Sequence, residues 1–212
     1  MISAVSLLPT TIISVSVAAV SMMMVPLFGG YVWLLRLSWI ILTLGSSLLV
    51  LFDVGSSASM FYVLPILWGQ GVALLRLNIL PMQASVKDVN DTGLAIAQFQ
   101  LIRLFGGLVG LTISSSIFNN VFSKTITHTT IQLTEALAPL KDVSNAVSFI
   151  DSLRSIQVST STLDQVLGVY LQCFHVIFYV MTRLSALGLV TSIFLDEINL
   201  KGRELGNQRF ED

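Results

Sequence analysis

The chain has 212 residues, of which 54% are hydrophobic and 11% charged, with a mean hydropathy of +0.83. A soluble domain carries about a quarter charged residues, so the composition excludes an ordinary water-soluble fold. A net charge of −1 gives no electrostatic basis for a nucleic-acid partner.

A bilayer core about 30 Å thick needs roughly 20 apolar residues per spanning helix, and five stretches meet that requirement. The predicted spans are 5–25, 32–52, 61–80, 94–122 and 166–195. The spans are apolar nearly all round, which suits lipid or a bundle interior, and they lack the alternation of barrel strands. The first is too long for a secretory signal and has no basic residue before it. The fourth and fifth are long enough to tilt or project beyond the bilayer. The sole cysteine, Cys173, lies in the fifth span, so there is no disulfide framework.

Residues 1–122 therefore hold four spans, 123–165 a polar connection, 166–195 the fifth span and 196–212 a tail. In the connection Ile131, Leu133, Leu137, Leu140, Val147, Ile150 and Leu153 recur at roughly helical spacing, predicting one or two amphipathic helices on the outer surface. Sidedness follows from Lys and Arg near short loops. A cytosolic tail puts Lys201, Arg203, Arg209, Lys87 and Arg36 on one side, with the loop 53–59 and the long connection outside. The one N-glycosylation acceptor, Asn90-Asp91-Thr92, then faces the cytosol and is expected to stay unmodified.

In the fourth span Gly106, Gly110 and Ser114 recur every four residues on one helix face, where small side chains let a neighbouring backbone approach. Gln100 and Arg103 form an adjacent polar stripe that must point into a bundle or toward water. Asn90 or Asp91 can cap the helix start.

These residues resemble a known family. Ala95-x-x-x-Phe99-x-x-x-Arg103-x-x-Gly106-Gly107-x-x-Gly110, followed by Ile117-Phe118-x-Asn120, is similar to the penultimate helix of fourteen-span transporters of the major facilitator superfamily, the fungal drug:proton antiporter type. Gly69-x-Gly71, Gln83-Ala84-Ser85-Val86, and Asp88 before Asp91 resemble the helix and cytosolic loop just upstream. Leu8-Pro9, Tyr31, Gly45 and the tail from Leu195 through Leu200 to Phe210 follow in the family's order. The loop 26–33 lacks the basic cluster often found there. The resemblance implies an all-α membrane protein whose five transmembrane helices form most of the C-terminal bundle. The N-terminal bundle and the first helix of the second are expected outside this sequence, on the same polypeptide or on a partner chain. It further implies a midplane cavity for a small-molecule substrate, residence in the plasma membrane, no enzymatic activity and no cofactor.

On that arrangement the third span lines the cavity and the fifth is peripheral. Gln70, Arg76 and Asn78 on the third span are the substrate-cavity candidates. Arg76 has two readings, a substrate or gating role and snorkelling toward head groups. For Arg103 the resemblance favours a structural or gating tie to the loop through Asp88 or Asp91 over substrate contact. Histidine is the side chain suited to carrying a proton near neutral pH, so His175 is a candidate proton carrier, with a hydrogen-bonded packing role as the simpler reading. Arg183, near mid-span, has no evident partner. No span holds an Asp or Glu in its interior, so no coupling carboxylate is found.

His128 and His175 lack metal-ligand spacing, there is no phosphate-binding glycine loop, and Ser114-Ser115-Ser116 follows a packing stripe rather than a nucleophile elbow. No catalytic residue and no metal site are predicted. Two functions are expected from the sequence. One is the C-terminal portion of a secondary active transporter, proton-coupled and exporting small organic molecules or toxins. The other is a truncated, non-transporting membrane protein that pairs through the Gly106-Gly110-Ser114 face.

Overall fold

The computed structural model describes residues 2–28, 30–53, 55–86, 88–128, 137, 140, 146–150 and 160–198. Among the described residues six α-helices carry the fold: α1 Ile2–Phe28, α2 Val32–Leu49, α3 Ala58–Leu74, α4 Ile79–Ser85, α5 Thr92–His128 and α6 Thr160–Ile193. Among the described residues no strand occurs. Four helical segments are long and apolar enough to cross a membrane: 32–49, 59–83, 92–127 and 162–193; the first helix adds a shorter apolar stretch, Thr10–Val25.

The third span runs through α3, a 3-10 turn at Leu75–Asn78 and α4. Two residues account for the tightened turn. Pro81 offers no N–H to the carbonyl of Leu77 and its ring crowds that carbonyl. The Asn78 side-chain amide donates to the Leu75 carbonyl at 2.9 Å and occupies another acceptor of the ladder. Arg76 sits within this turn.

Helices α6, α2, α3 and α1 pack in that order, each against the next. Glycines set the α2–α3 spacing. A Cβ on Gly71 would lie 2.7 Å from the Leu42 backbone nitrogen, and one on Gly45 would lie 2.8 Å from the Trp68 Cα. Position 42 thus meets 71 while 45 meets 68, the pairing of antiparallel helices. On the other side of α3, a Cβ on Gly69 would lie 2.9 Å from the Ser14 hydroxyl of α1. Helix α6 also runs antiparallel to α2: Arg36 reaches Ser192, the hydroxyls of Ser46 and Ser185 lie 3.5 Å apart, and His175 reaches Phe52. Buried Ser38 and Ser46 return their hydroxyls to the Leu35 and Leu42 carbonyls, so small polar side chains fill this contact without stranding a donor.

Two apolar clusters close the ends. At the end where the tail leaves, Val25, Tyr31, Val32, Leu34, Leu35, Leu74 and Leu77 are buried together. At the opposite end Phe118 and Phe122 of α5 stack at 5.7 Å and pack on Tyr170 and Cys173 of α6, with Leu137, Leu140 and Ala146 over them. Most of the predicted amphipathic connection, including Ile131, Leu133 and Leu153, lies outside the described residues. In its described part Leu137 and Leu140 are buried as predicted, but farther along the inward residues are Ala146 and Phe149, while Val147 and Ile150 are exposed. The difference from the predicted face has a local cause: residues 148–150 form a 3-10 turn, and Tyr170 donates its hydroxyl to the Ala146 carbonyl.

Among the described residues helix α5 packs on other helices toward its ends. Its C-terminal third packs on α6 and its start touches α4, but every residue from Leu101 to Ile113 is exposed.

Candidate functional site

A cavity of about 460 Å³ lies where α5 stands away from the four packed helices. Met22 of α1, Trp39 of α2, Arg76, Asn78 and Ile79 around the 3-10 turn, and Phe99, Gln100 and Arg103 of α5 line it. Its volume falls in the range of small-molecule sites, and its wall is mostly apolar. Arg76 and Asn78, both expected on a cavity, are brought together here, and Arg103 joins them from the next span. Gln70 is not in the lining.

The guanidinium of Arg103 donates to Gln100 Oε1 at 3.5 Å, one helical turn back. The expected tie to the loop carboxylates is not formed among the described residues. Asp88 instead accepts from the Asn90 backbone N–H at 2.9 Å, and the Asp91 N–H donates to the Asp88 carbonyl at 3.1 Å. That turn winds the loop into the start of α5 and leaves both acids exposed.

Gly106 and Gly110 face open space: a Cβ on either would meet nothing within 4 Å, and the same holds for Gly107. Ser114 is half-buried on the same face. Among the described residues no helix packs on the glycines of the stripe. His175 shares its Nε2 proton with the Phe52 carbonyl at 2.7 Å, a tie between α6 and the turn leaving α2. Arg183 is exposed and makes no hydrogen bond among the described residues.

One constellation was not expected from sequence. The Glu197 carboxylate, just beyond α6, accepts from the backbone N–H groups of Tyr31 at 2.7 Å and Val32 at 3.4 Å. Arg36, one turn into α2, donates to the terminal carbonyls of α6 at Ser192 and Ile193, at 3.3 and 3.1 Å, and to that of Leu195 just beyond, at 3.0 Å. An anion on a helix N-terminus and a cation on a helix C-terminus are each favoured by the helix dipole, so the pair of contacts is doubly complementary. The Ile198 N–H completes the clasp by donating to the Tyr31 hydroxyl at 3.2 Å. The sequence carries a faint signal for it: Gly30 and Tyr31 precede α2 where a Ser, Thr, Asp or Asn cap belongs, so the first amides need an acceptor from elsewhere.

Comparison with known proteins decides the family. The chain is 72% identical over 211 residues to the MFS-type transporter sphD of Aspergillus fumigatus, a match covering all of this chain and 36% of that protein. The chain belongs to the major facilitator superfamily. It corresponds to the C-terminal part of such a transporter, and its five transmembrane helices form most of that bundle. Weaker similarity joins it to the MFS-type transporter gkaD of Penicillium citrinum, 29% identical over 94% of this chain and 34% of that protein. The MFS-type efflux pump MMF1 of Pseudozyma antarctica is 26% identical over 93% of this chain and 36% of its own length. The chain thus spans about a third of the length of the curated relatives it matches. No family model and no solved structure matches it.

Proposed function

We propose that this major facilitator chain contributes part of the substrate cavity of a proton-coupled exporter of small organic molecules, acting at the plasma membrane with its C-terminus cytosolic. The observation that carries the reading is the convergence of Arg76, Asn78, Gln100 and Arg103 from two spans on one largely apolar cavity. Polar side chains are expensive at membrane depth and are kept there where they meet a solute, a partner or water. The export direction is supported by the names of relatives such as the efflux pump MMF1. Sidedness is supported by the placement of Arg36 at the end of α6 from which the tail leaves, and by the Lys and Arg content of that tail in the sequence. The second bundle wall and the coupling carboxylate are assigned to polypeptide beyond these five helices.

The test is a chimera in which this chain replaces the matching segment of sphD, reconstituted in vesicles beside sphD and beside this chain alone. Accumulation of fluorescent amphiphiles, fluorescein and rhodamine 6G among them, is followed with and without an imposed pH gradient. Gradient-dependent accumulation by the chimera, abolished by nigericin and absent from the lone chain, is the expected result. A chimera that inserts but moves no dye that sphD moves would refute the proposal.

A further inference from the structure

We infer that the cavity between Arg76 and Arg103 takes the anionic head group of an amphiphile, a carboxylate or phosphate carried on an apolar body. Its bearing on the exported solute rests on the transporter reading above; the binding chemistry does not. Two guanidinium groups from different spans line one cavity, and no Asp or Glu is among its lining residues. Arg76 makes no hydrogen bond or ion pair among the described residues. The one partner of Arg103 is the neutral Gln100 amide, at a long 3.5 Å. Asp88 and Asp91, the acids nearest to Arg103 along the chain, form no ion pair with either arginine among the described residues, and Asp88 accepts instead from the Asn90 backbone N–H. Two like charges lining one cavity lack a counter-ion among the described residues, and a carboxylate or phosphate matches the planar donor fork of each arginine.

Simple snorkelling accounts for one arginine reaching toward head groups, but it gives no reason for two helices to direct theirs to a shared cavity. The rest of the wall fixes the other half of the ligand. Met22, Val72, Ile79, Phe99 and Ile102 offer hydrocarbon, and Trp39 an aromatic surface. A cation would be repelled, and a small inorganic anion would leave that apolar surface uncovered. An anion-headed amphiphile satisfies both. A soluble solute and an acidic phospholipid share this chemistry, and the experiment separates them.

Trp39 stands in the cavity wall and supplies the readout. With Trp33 and Trp68 replaced by Phe, it is the only indole left of three. The chain is placed in phosphatidylcholine nanodiscs and titrated with 11-bromoundecanoic acid and with its methyl ester, the bromine quenching indole fluorescence on contact. The acid is expected to quench saturably with an affinity at least ten-fold above that of the ester. R76Q and R103Q should each weaken acid binding about five-fold or more with helical content unchanged, and R76K should retain part of it. Discs doped with chain-brominated phosphatidic acid identify the source: quenching that bromine-free undecanoate relieves marks a shared site open to a soluble solute. Quenching that it does not relieve marks the phospholipid as the resident anion. Acid and ester quenching alike, or acid binding indifferent to both arginine substitutions, overturns the inference. Charge-selective binding in a chain whose sphD chimera carries no flux would refute the transport reading and leave the site standing.

Discussion

Removing the Glu197 carboxylate tests how the end of α6 is held to the start of α2. In E197A the Tyr31 and Val32 amides lose their acceptor, and no cap side chain at Tyr31 replaces it. Loss of an N-terminal cap costs about 1 kcal/mol, which corresponds to roughly five-fold faster hydrogen exchange at those two amides. R36A removes three hydrogen bonds to carbonyls at and just beyond the end of α6 and is expected to cost about 1 kcal/mol as well. The two effects should not add. Both contacts hold the same short segment, 192–198, so once one is lost the other acceptor is already displaced, and the double variant should cost roughly 1.5 kcal/mol. G30A provides an independent route: its Cβ would lie 2.7 Å from both Glu197 carboxylate oxygens, pushing the acid away and reproducing the E197A exchange pattern. Hydrogen exchange with mass spectrometry in nanodiscs, with thermal unfolding in parallel, reads both quantities. Unchanged exchange at Tyr31 and Val32 in E197A, or strict additivity in the double variant, would refute the clasp.

Gly71 and Gly110 should respond oppositely to alanine. G71A places a methyl 2.7 Å from the Leu42 backbone nitrogen and should destabilise the chain by about 1–3 kcal/mol, whereas G110A meets open space and should gain up to about 1 kcal/mol from helix propensity. Thermal unfolding of the two variants checks the sign. G188A drives a methyl into the Trp39 ring, so Trp39 emission should shift and the brominated acid should lose its quenching; an unaltered spectrum would show that the ring is free to move. H175A removes the donor to the Phe52 carbonyl and should cost about 1 kcal/mol in thermal stability while leaving the pH dependence of transport by the sphD chimera intact. A changed pH profile would instead make His175 part of the proton path. Asn90 should carry no glycan in a eukaryotic host, read as no mobility change on endoglycosidase treatment; a glycan there would invert the assigned sidedness.

The spans were legible because a run of about twenty apolar residues has few uses outside a bilayer. Which glycines within them carry contacts was not legible from periodicity. The glycines that seat neighbours in this chain are Gly45, Gly69, Gly71 and Gly188, and none belongs to a four-residue repeat among themselves. Gly69 and Gly71 are two residues apart, about 200° around the helix, so they serve opposite sides of α3, one toward α1 and the other toward α2. Periodicity finds a single face, and a helix held between two others hides from it. The clasp was illegible for a different reason. Glu197 and Tyr31 are 166 positions apart, and only the antiparallel run of α2 and α6 places an acid near a start that lacks its own cap. Arg76 and Arg103 were visible as costly charges, but their meeting in one cavity depends on the 3-10 turn after α3, whose cause, Pro81 acting on Leu77, lies beyond any apolar pattern.

Helix α5 brings these threads together. Its open glycines at Gly106, Gly107 and Gly110 need a close neighbour, because a membrane helix gains nothing from three bare backbone positions facing lipid. Nine residues after Gly110, and so about 180° around the helix, Asn119 begins a second exposed stripe with Thr112, Ser115 and Ser116. Lipid does not satisfy that face either, even though Thr112 and Asn120 return hydrogen bonds to the Leu108 and Ser116 carbonyls. A helix with a packing face on one side and a polar face on the other belongs in the interior of a bundle. The described helices cover neither face over 101–113. The relatives are about three times as long as this chain, which is enough polypeptide to supply a helix for one face and a cavity wall for the other. On this argument α5 is central to the transporter, and the contrast between G71A and G110A should reverse in part within the sphD chimera, where a methyl at Gly110 would meet the neighbour that is absent from these five helices.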